Sequence, residues 1–176
     1  GTILNNDGGA LSIHNVTLGE GSGSFLLTVD STGDLTNVTV NFATADNTAT
    51  AGSDYTNTVG SFVLNGHQGA LAIVVRDDDI VEGDESFYVT LTSTSNPSSV
   101  TFADNQALAT IQDDDVAEIS INDVSAAEGA FGATQVFRFI VTLSKGTLGP
   151  VTVDYTTGDG LATVADGDYT ATSGTL

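Results

Sequence analysis

The sequence repeats itself, and this repeat constrains the possible folds more than any other feature of the chain. The aligned segments are residues 1–7 with 109–115, 38–46 with 151–159, and 54–60 with 168–174. The chain therefore divides into three pieces: 1–7, the last strand of one repeat; 8–115, a complete repeat; and 116–176, the first half of a following repeat. Asp115 runs directly into Val116, so we expect no linker between the second and third pieces.

Within the complete repeat, apolar and polar residues alternate with a period of two, as in VTVNF at 38–42. This alternation is typical of half-buried β-strands, and clusters of Gly, Asn and Asp between the runs indicate turns. The predicted strands are 10–16, 23–30, 36–44, 60–64, 69–76, 86–93 and 106–112. Seven short strands over about a hundred residues predict an all-β fold, an antiparallel sandwich with Greek-key connections.

The charge balance excludes several classes of partner. The chain has 23 acidic residues against 3 Lys and Arg, with a formal charge of -20. So few basic residues cannot neutralise a nucleic-acid backbone or an anionic membrane surface, so we predict neither partner. No apolar run reaches the roughly 18–20 residues that a membrane span requires, so we predict no membrane insertion. The absence of Cys excludes disulfides, thiolate zinc sites and thiol nucleophiles.

The segment 77–85 (DDDIVEGDE) places six carboxylates in nine residues between two strand-like runs. Such a cluster repels itself at neutral pH, so a folded protein keeps it either around a cation or as a solvated turn. Ca²⁺ suits an irregular cage of carboxylates better than Mg²⁺. Other acidic residues also follow predicted strands, namely Glu20, Asp46 and Asp113 to Asp115. In a Greek-key sandwich these strand ends can converge at one pole, which favours a cation site over a solvated acidic pole.

The sequence contains no arrangement typical of an active site. His14 and His67 are far apart, no Gly-x-Ser-x-Gly motif occurs, and there is no Trp to bind a sugar. The clustered carboxylates are too mutually repulsive for the acid and base pair of a glycosidase. We therefore predict that the chain is not an enzyme.

The order of the motifs resembles that of the Calx-β domain family. The matching motifs are EG at 20–21, TAD at 44–46, AGSDY at 51–55, DDDIVEGDESF at 77–87 and ATIQDDD at 109–115. The resemblance covers 8–115 fully and the rest as partial copies. It implies an immunoglobulin-like sandwich, here repeated in tandem, that binds Ca²⁺ through loops at one end.

The resemblance also implies a set of ligands. They are Glu20, Asp46, Asp77, Asp78, Glu82, Glu85, Asp113, Asp114 and Asp115, with the carbonyl of Ile80, and Glu128 and Asp159 as the equivalents in 116–176. Asp79 and Asp84 are expected to face solvent or cap the turn. Asp54 is expected to cap a turn beside a packed Tyr55.

The predicted function is that of a calcium-binding structural module in a long extracellular or cell-surface protein, an adhesin stalk, fibre or matrix protein of a bacterium. Its partners would be neighbouring repeats of the same polypeptide, rigidified by Ca²⁺ at their joints, and lateral assembly into fibres stays open. The alternatives are a Ca²⁺-sensing regulatory domain, as in sodium–calcium exchangers, and an accessory module of a secreted hydrolase. We also expect the native polypeptide to begin before Gly1 and to continue past Leu176.

Overall fold

The computed structural model describes residues 8–130 and 132–176, and their regular structure is almost entirely β. The strands are β1 (Gly9–Ile13), β2 (Val16–Gly19), β3 (Ser24–Ser31), β4 (Thr39–Asp46), β5 (Val59–Val63), β6 (Gln68–Val74), β7 (Ile80–Val81), β8 (Glu85–Thr94), β9 (Val100–Asp104), β10 (Gln106–Gln112), β11 (Ile119–Ile121), β12 (Val141–Leu143), β13 (Gly146–Thr147), β14 (Asp154–Thr156) and β15 (Ser173–Thr175). The predicted strand at 1–7 lies outside the described residues. The one helix in the described part is the three-residue 3-10 turn Glu20–Ser22, so none of it forms a helix long enough to cross a membrane.

The complete repeat, residues 8–115 and called the first repeat below, is a sandwich of two sheets, which confirms the predicted all-β, immunoglobulin-like fold. It is not wholly antiparallel as predicted, since β1 runs parallel to β9 and β2 runs parallel to β10. One sheet has the strand order β6-β3-β1-β9 and the other β2-β10-β8-β4-β5. Apolar side chains at alternate positions fill the space between the sheets. In β3, Phe25, Leu27 and Val29 are buried while the residues between them face outward. Phe87 of β8 packs edge-on against Phe25 with ring centroids 5.8 Å apart, which joins the two sheets at the centre of the core.

The predicted strand 10–16 is wrong as a single strand. β1 pairs with β3 in one sheet, whereas β2 pairs with β10 in the other, and the chain crosses between the sheets at His14 and Asn15. The Asn15 side chain accepts a hydrogen bond from the Leu108 backbone N–H at 2.8 Å, which gives this donor of β10 a partner at the crossing. The apolar residues lie at odd positions in β1, as Leu11 and Ile13, and at even positions in β2, as Val16 and Leu18. This change of phase is a signal of the crossing that the prediction of a single strand did not use. β7 and β9 are further strands that the pattern did not predict.

The described part of the following repeat copies the pairing of the first. Tyr155 lies opposite Gly174 in the β14–β15 pair, as Phe42 lies opposite Gly60 in the β4–β5 pair. The copy has little core of its own, since Ile121 is 62% exposed and the matching Ile13 is 1% exposed. The buried core of the described residues therefore belongs to the first repeat.

Candidate metal centre

Strand pairing brings the acidic loops of the first repeat to one pole. β2 and β10 run parallel with Gly19 beside Gln112, so the next residues, Glu20 and Asp113, leave the sheet side by side. β8 runs antiparallel to β10 and places Glu85 opposite Ile111, at the same end. The pole is therefore a direct consequence of the register of three neighbouring strands.

At this pole, carboxylates meet in three groups whose oxygens lie within 4.8 Å of one another. The groups are Glu20 with Asp113 and Asp115, Glu20 with Asp77 and Asp114, and Asp54 with Glu82 and Glu85. Glu20 belongs to two of the groups, so these two form one larger cluster. A narrow cleft connects this cluster to the third group, and Asp78 and Arg76 also line it.

Two oxygens of the cluster are buried without a hydrogen-bond partner. They are Glu20 Oε1 and Asp115 Oδ2; Glu20 is 8% exposed as a residue, and the Asp115 side chain is 7% exposed. An ionised carboxylate taken out of water is costly unless a counter-charge or donor meets it. The all-oxygen donor set and its two orphaned oxygens fit a hard cation such as Ca²⁺.

The electrostatics of the pole favour binding of a cation. Burial raises the pKa of the Glu20 carboxyl to about 7, and repulsion from Asp78 and from 113–115 adds to the shift. Burial, the hydrogen bond with Asp54 and repulsion from Asp54 and Glu82 raise the pKa of Glu85 to about 7 as well. Burial is also the main cause of the raised pKa of Glu82. A bound divalent cation would remove this penalty by stabilising the charged forms.

These shifts predict that the cation-free protein loses stability as the pH rises. Between the ordinary glutamate pKa of 4.5 and the folded value of about 7, the folded state holds more protons than the unfolded chain. The free energy of unfolding must therefore fall across this window. In chelator, we expect the melting temperature to be lower at pH 8 than at pH 5.5, by about 5 °C or more. Thermal melts followed by circular dichroism would check this, and a melting temperature that rises over the same window would contradict it.

Hydrogen bonds within the loops hold the acidic residues in place. Asp113 accepts the Glu82 backbone N–H at 3.0 Å, which ties the 77–85 loop to the end of β10. Asp78 accepts the Ile80 backbone N–H at 2.7 Å. Gly21 faces the cluster, since a Cβ there would lie 3.1 Å from Asp114 Oδ2. The absence of a side chain at this position leaves room beside that carboxylate.

The following repeat contacts the same pole through Lys145. Its Nζ donates to Asp115 and lies 3.0 Å from Asp79, and the bond to Asp115 is the main cause of its raised pKa. Next to it, β13 pairs with β7, and the Leu148 backbone N–H donates to the Val81 carbonyl at 3.1 Å. The acidic loop thus lies at the joint between the two repeats.

The structure brings together most of the predicted ligands and separates three of them. Those at the pole are Glu20, Asp77, Asp78, Glu82, Glu85, Asp113, Asp114 and Asp115, and Ile80 lies beside them in β7. Asp46 lies outside the three groups, because its Oδ1 accepts the Tyr55 hydroxyl and the Ala51 N–H. Asp159 is engaged in the same way by Tyr169 and Val164, and Glu128 is exposed and belongs to no group among the described residues.

Asp54 is the member of the pole that sequence reasoning did not place there. The predicted turn cap is confirmed, since Asp54 Oδ2 accepts the Thr50 backbone N–H at 2.6 Å. The same carboxylate also reaches Glu82 and Glu85. The available signal was the recurrence of Asp followed by Tyr, at 54–55 and 168–169. Asp79 and Asp84 are exposed, as predicted.

Comparison with known proteins identifies the family. The family model described as the Calx-beta domain matches residues 5–115 and 122–176. The chain is 34% identical over 168 residues to sodium/calcium exchanger 1 of Rattus norvegicus, covering 82% of this chain and 17% of the exchanger. It is also 34% identical over 170 residues to the sodium/calcium exchanger Calx of Drosophila melanogaster, covering 91% of this chain and 17% of that protein. The chain thus spans about one sixth of the length of these relatives.

Solved structures agree with the sequence comparison. The apo-form Calx CBD1 domain superposes with a TM-score of 0.54 at 31% identity, over 62% of this chain and 100% of that one. The calcium binding domain CBD12 of CALX1.1 superposes with a TM-score of 0.51 at 32% identity, over 60% of this chain and 44% of that one. On the strength of the matched motifs, the shared sandwich and the acidic pole, this chain belongs to the Calx-beta domain family.

Proposed function

We propose that the first repeat is a Ca²⁺-binding module whose cations are held by the carboxylates at its pole. The observation that carries the proposal is the buried carboxylate of Glu20, which lies among four aspartates and leaves Oε1 without a partner. A divalent cation supplies the missing counter-charge. Support also comes from the similar solved structure that is described as a calcium binding domain.

The arrangement of the three groups favours more than one ion. Ca²⁺ takes six to eight oxygens at about 2.3–2.6 Å. Three carboxylates supply three oxygens if each binds through one and six if each binds through both, so each group can be the main part of one coordination shell. The two groups that share Glu20 can hold one ion or a close pair, and the third group, with Asp54, can hold another. The proposed ligands are Glu20, Asp54, Asp77, Asp78, Glu82, Glu85, Asp113, Asp114 and Asp115, with the Ile80 carbonyl.

Of the three roles considered for this module, Ca²⁺ affinity distinguishes two, and the third, an accessory module of a secreted hydrolase, stays an alternative. In the first, the repeat is a structural element of a long extracellular protein of a bacterial surface, stiffened by Ca²⁺ at its joints. The direct join at Asp115 and Val116 and the contact of Lys145 with the pole support this role. In the second, it is a regulatory Ca²⁺ sensor, and the relationship to sodium/calcium exchangers supports this role. An extracellular module binds at about 10⁻⁴–10⁻³ M and a sensor at about 10⁻⁷–10⁻⁵ M.

Isothermal titration of the chelator-treated chain with Ca²⁺ tests the proposal. We expect saturable binding, and we expect Glu20→Gln to weaken it by at least tenfold because two groups lose their shared carboxylate. Asp84→Asn is the control, since it removes one charge from the neighbouring 77–85 loop at an exposed position outside the groups. Equal losses in the two variants would show that general charge, and not this site, attracts the ion.

A further inference from the structure

We propose that Asp46 is a positioning residue, and that its hydrogen bond to Tyr55 holds Asp54 in the metal centre. This inference rests on the proposed Ca²⁺ binding of the first repeat. It replaces the ligand role that family resemblance implies for Asp46 with an indirect one. The geometry of a single turn, residues 50–55, carries the argument.

One oxygen of Asp46 accepts hydrogen bonds from both ends of this turn. It is the last residue of β4, and its Oδ1 accepts the Tyr55 hydroxyl at 2.6 Å and the Ala51 backbone N–H at 2.9 Å. The turn is closed by the Gly52 backbone N–H, which donates to the Tyr55 carbonyl at 2.8 Å. The Asp46 Oδ1 atom is thus occupied by two donors within the turn, and neither of them belongs to the pole.

Asp54 lies inside the fastened turn and points the other way, toward the pole. Its backbone N–H donates to the Thr50 carbonyl at 3.1 Å, and its own carbonyl accepts the Arg76 backbone N–H at 2.9 Å. Its carboxylate reaches within 4.8 Å of those of Glu82 and Glu85. The position of this ligand therefore depends on the conformation of the turn.

Tyr55 connects the turn to the strand that carries Glu85. Its ring is 1% exposed and stacks on Phe87 with centroids 4.1 Å apart and planes 8° apart. Phe87 follows Glu85 by two residues in β8, and Asp46 lies directly opposite Phe87 in the β4–β8 ladder. The hydrogen bond of the hydroxyl fixes one end of the Tyr55 ring, and stacking on Phe87 fixes its face. These two contacts therefore fix the position of Asp54 relative to Glu85.

The following repeat contains the same arrangement of hydrogen bonds, but no potential metal group surrounds it. Asp159 Oδ1 accepts the Tyr169 hydroxyl at 2.7 Å and the Val164 N–H at 3.0 Å, and Asp168 accepts the Thr163 N–H at 2.9 Å. In the described residues, none of these carboxylates belongs to a potential metal group. The local sequence therefore produces this set of hydrogen bonds, and the aspartate at the strand end accepts them whether or not a metal site is near.

The test is Ca²⁺ titration of the full chain in four variants. Tyr55→Phe keeps the stacked ring and removes only the hydroxyl, and Asp46→Ala removes the acceptor. We expect each to weaken Ca²⁺ binding by about tenfold, the size typical of groups that orient a metal ligand. Asp46→Asn keeps an oxygen that accepts from Tyr55 and Ala51, so we expect it to recover most of the affinity. Tyr169→Phe is the matched control in the following repeat and should bind as the wild type does.

The double variant Asp46→Ala with Tyr55→Phe adds a readout that a merely structural role would not give. Its loss of affinity should equal that of Asp46→Ala alone, because the hydrogen bond between Tyr55 and Asp46 is already absent from that variant. Wild-type binding by Tyr55→Phe would overturn the inference, as would an Asp46→Asn variant as weak as Asp46→Ala, which would make Asp46 a charged ligand. Failure of the wild type to bind Ca²⁺ would instead contradict the proposed function itself.

Discussion

Chelation of Ca²⁺ is expected to lower the melting temperature of the first repeat by about 10 °C or more at pH 8. A ligand at one hundred times its dissociation constant stabilises the folded state by about 2.7 kcal/mol for each site. For a domain of this size, that free energy corresponds to about 10 °C. Differential scanning calorimetry in chelator and in excess Ca²⁺ measures the shift directly.

Glu20→Gln provides the sharpest control for this effect, because it should move the two melting temperatures in opposite directions. In chelator the variant should melt higher than the wild type, since a neutral amide removes a buried charge that its neighbours repel. In Ca²⁺ it should melt lower, since the shared ligand is gone. A variant that melts below the wild type in both conditions would show that Glu20 stabilises the fold by ordinary packing.

Calcium is also expected to narrow the range of orientations between the first repeat and residues 116–176. Asp113 to Asp115 are proposed ligands and are also the last residues before the following repeat, so a bound ion fixes the direction in which the chain leaves. Lys145, which belongs to the following repeat, donates a hydrogen bond to Asp115 across the joint. Spin labels on cysteines placed at the exposed Thr101 and Thr170 report the distance between the first repeat and residues 116–176. No other residue is labelled, because the chain has no Cys.

Two variants separate the parts of the joint. Asp114→Ala should broaden the distance distribution in Ca²⁺ to that seen in chelator, while the group of Asp54, Glu82 and Glu85 still binds. Lys145→Gln removes the contact and no ligand, so it should broaden the distribution with little change in Ca²⁺ affinity. Distributions that are the same in Ca²⁺ and in chelator would rule out a role for the ion at the joint.

Sequence reasoning predicted those features that depend on short-range pattern. Alternation of apolar residues predicted the sandwich, and the repeat predicted that Tyr155 copies Phe42, which the matching β14–β15 register confirms. Glu20 and Asp113 could be placed together because each follows a strand, and adjacent strands of like direction end at the same edge.

The features that were missed depend on packing between distant parts of the chain. Asp54 reaches Glu85 because Tyr55 stacks on Phe87, a contact between residues 32 positions apart. Asp46 was predicted to be a ligand because it is an acidic residue at a strand end, and the sequence does not reveal that Tyr55 and Ala51 donate to its Oδ1. The crossing at Asn15 is different, because the shift of the apolar residues from odd positions in β1 to even positions in β2 was a local signal that the prediction of one strand overlooked.

The central claim is that Glu20 and the carboxylates around it hold calcium. An anomalous difference map from a crystal grown in millimolar Ca²⁺ tests it most directly. We predict peaks about 2.3–2.6 Å from oxygens of Glu20 and Asp113 or Asp114, and a further peak within the same distance of Asp54 and Glu85. A saturating Ca²⁺ concentration that leaves Glu20 without a peak, or that gives ions only at exposed residues such as Asp84, would contradict the account.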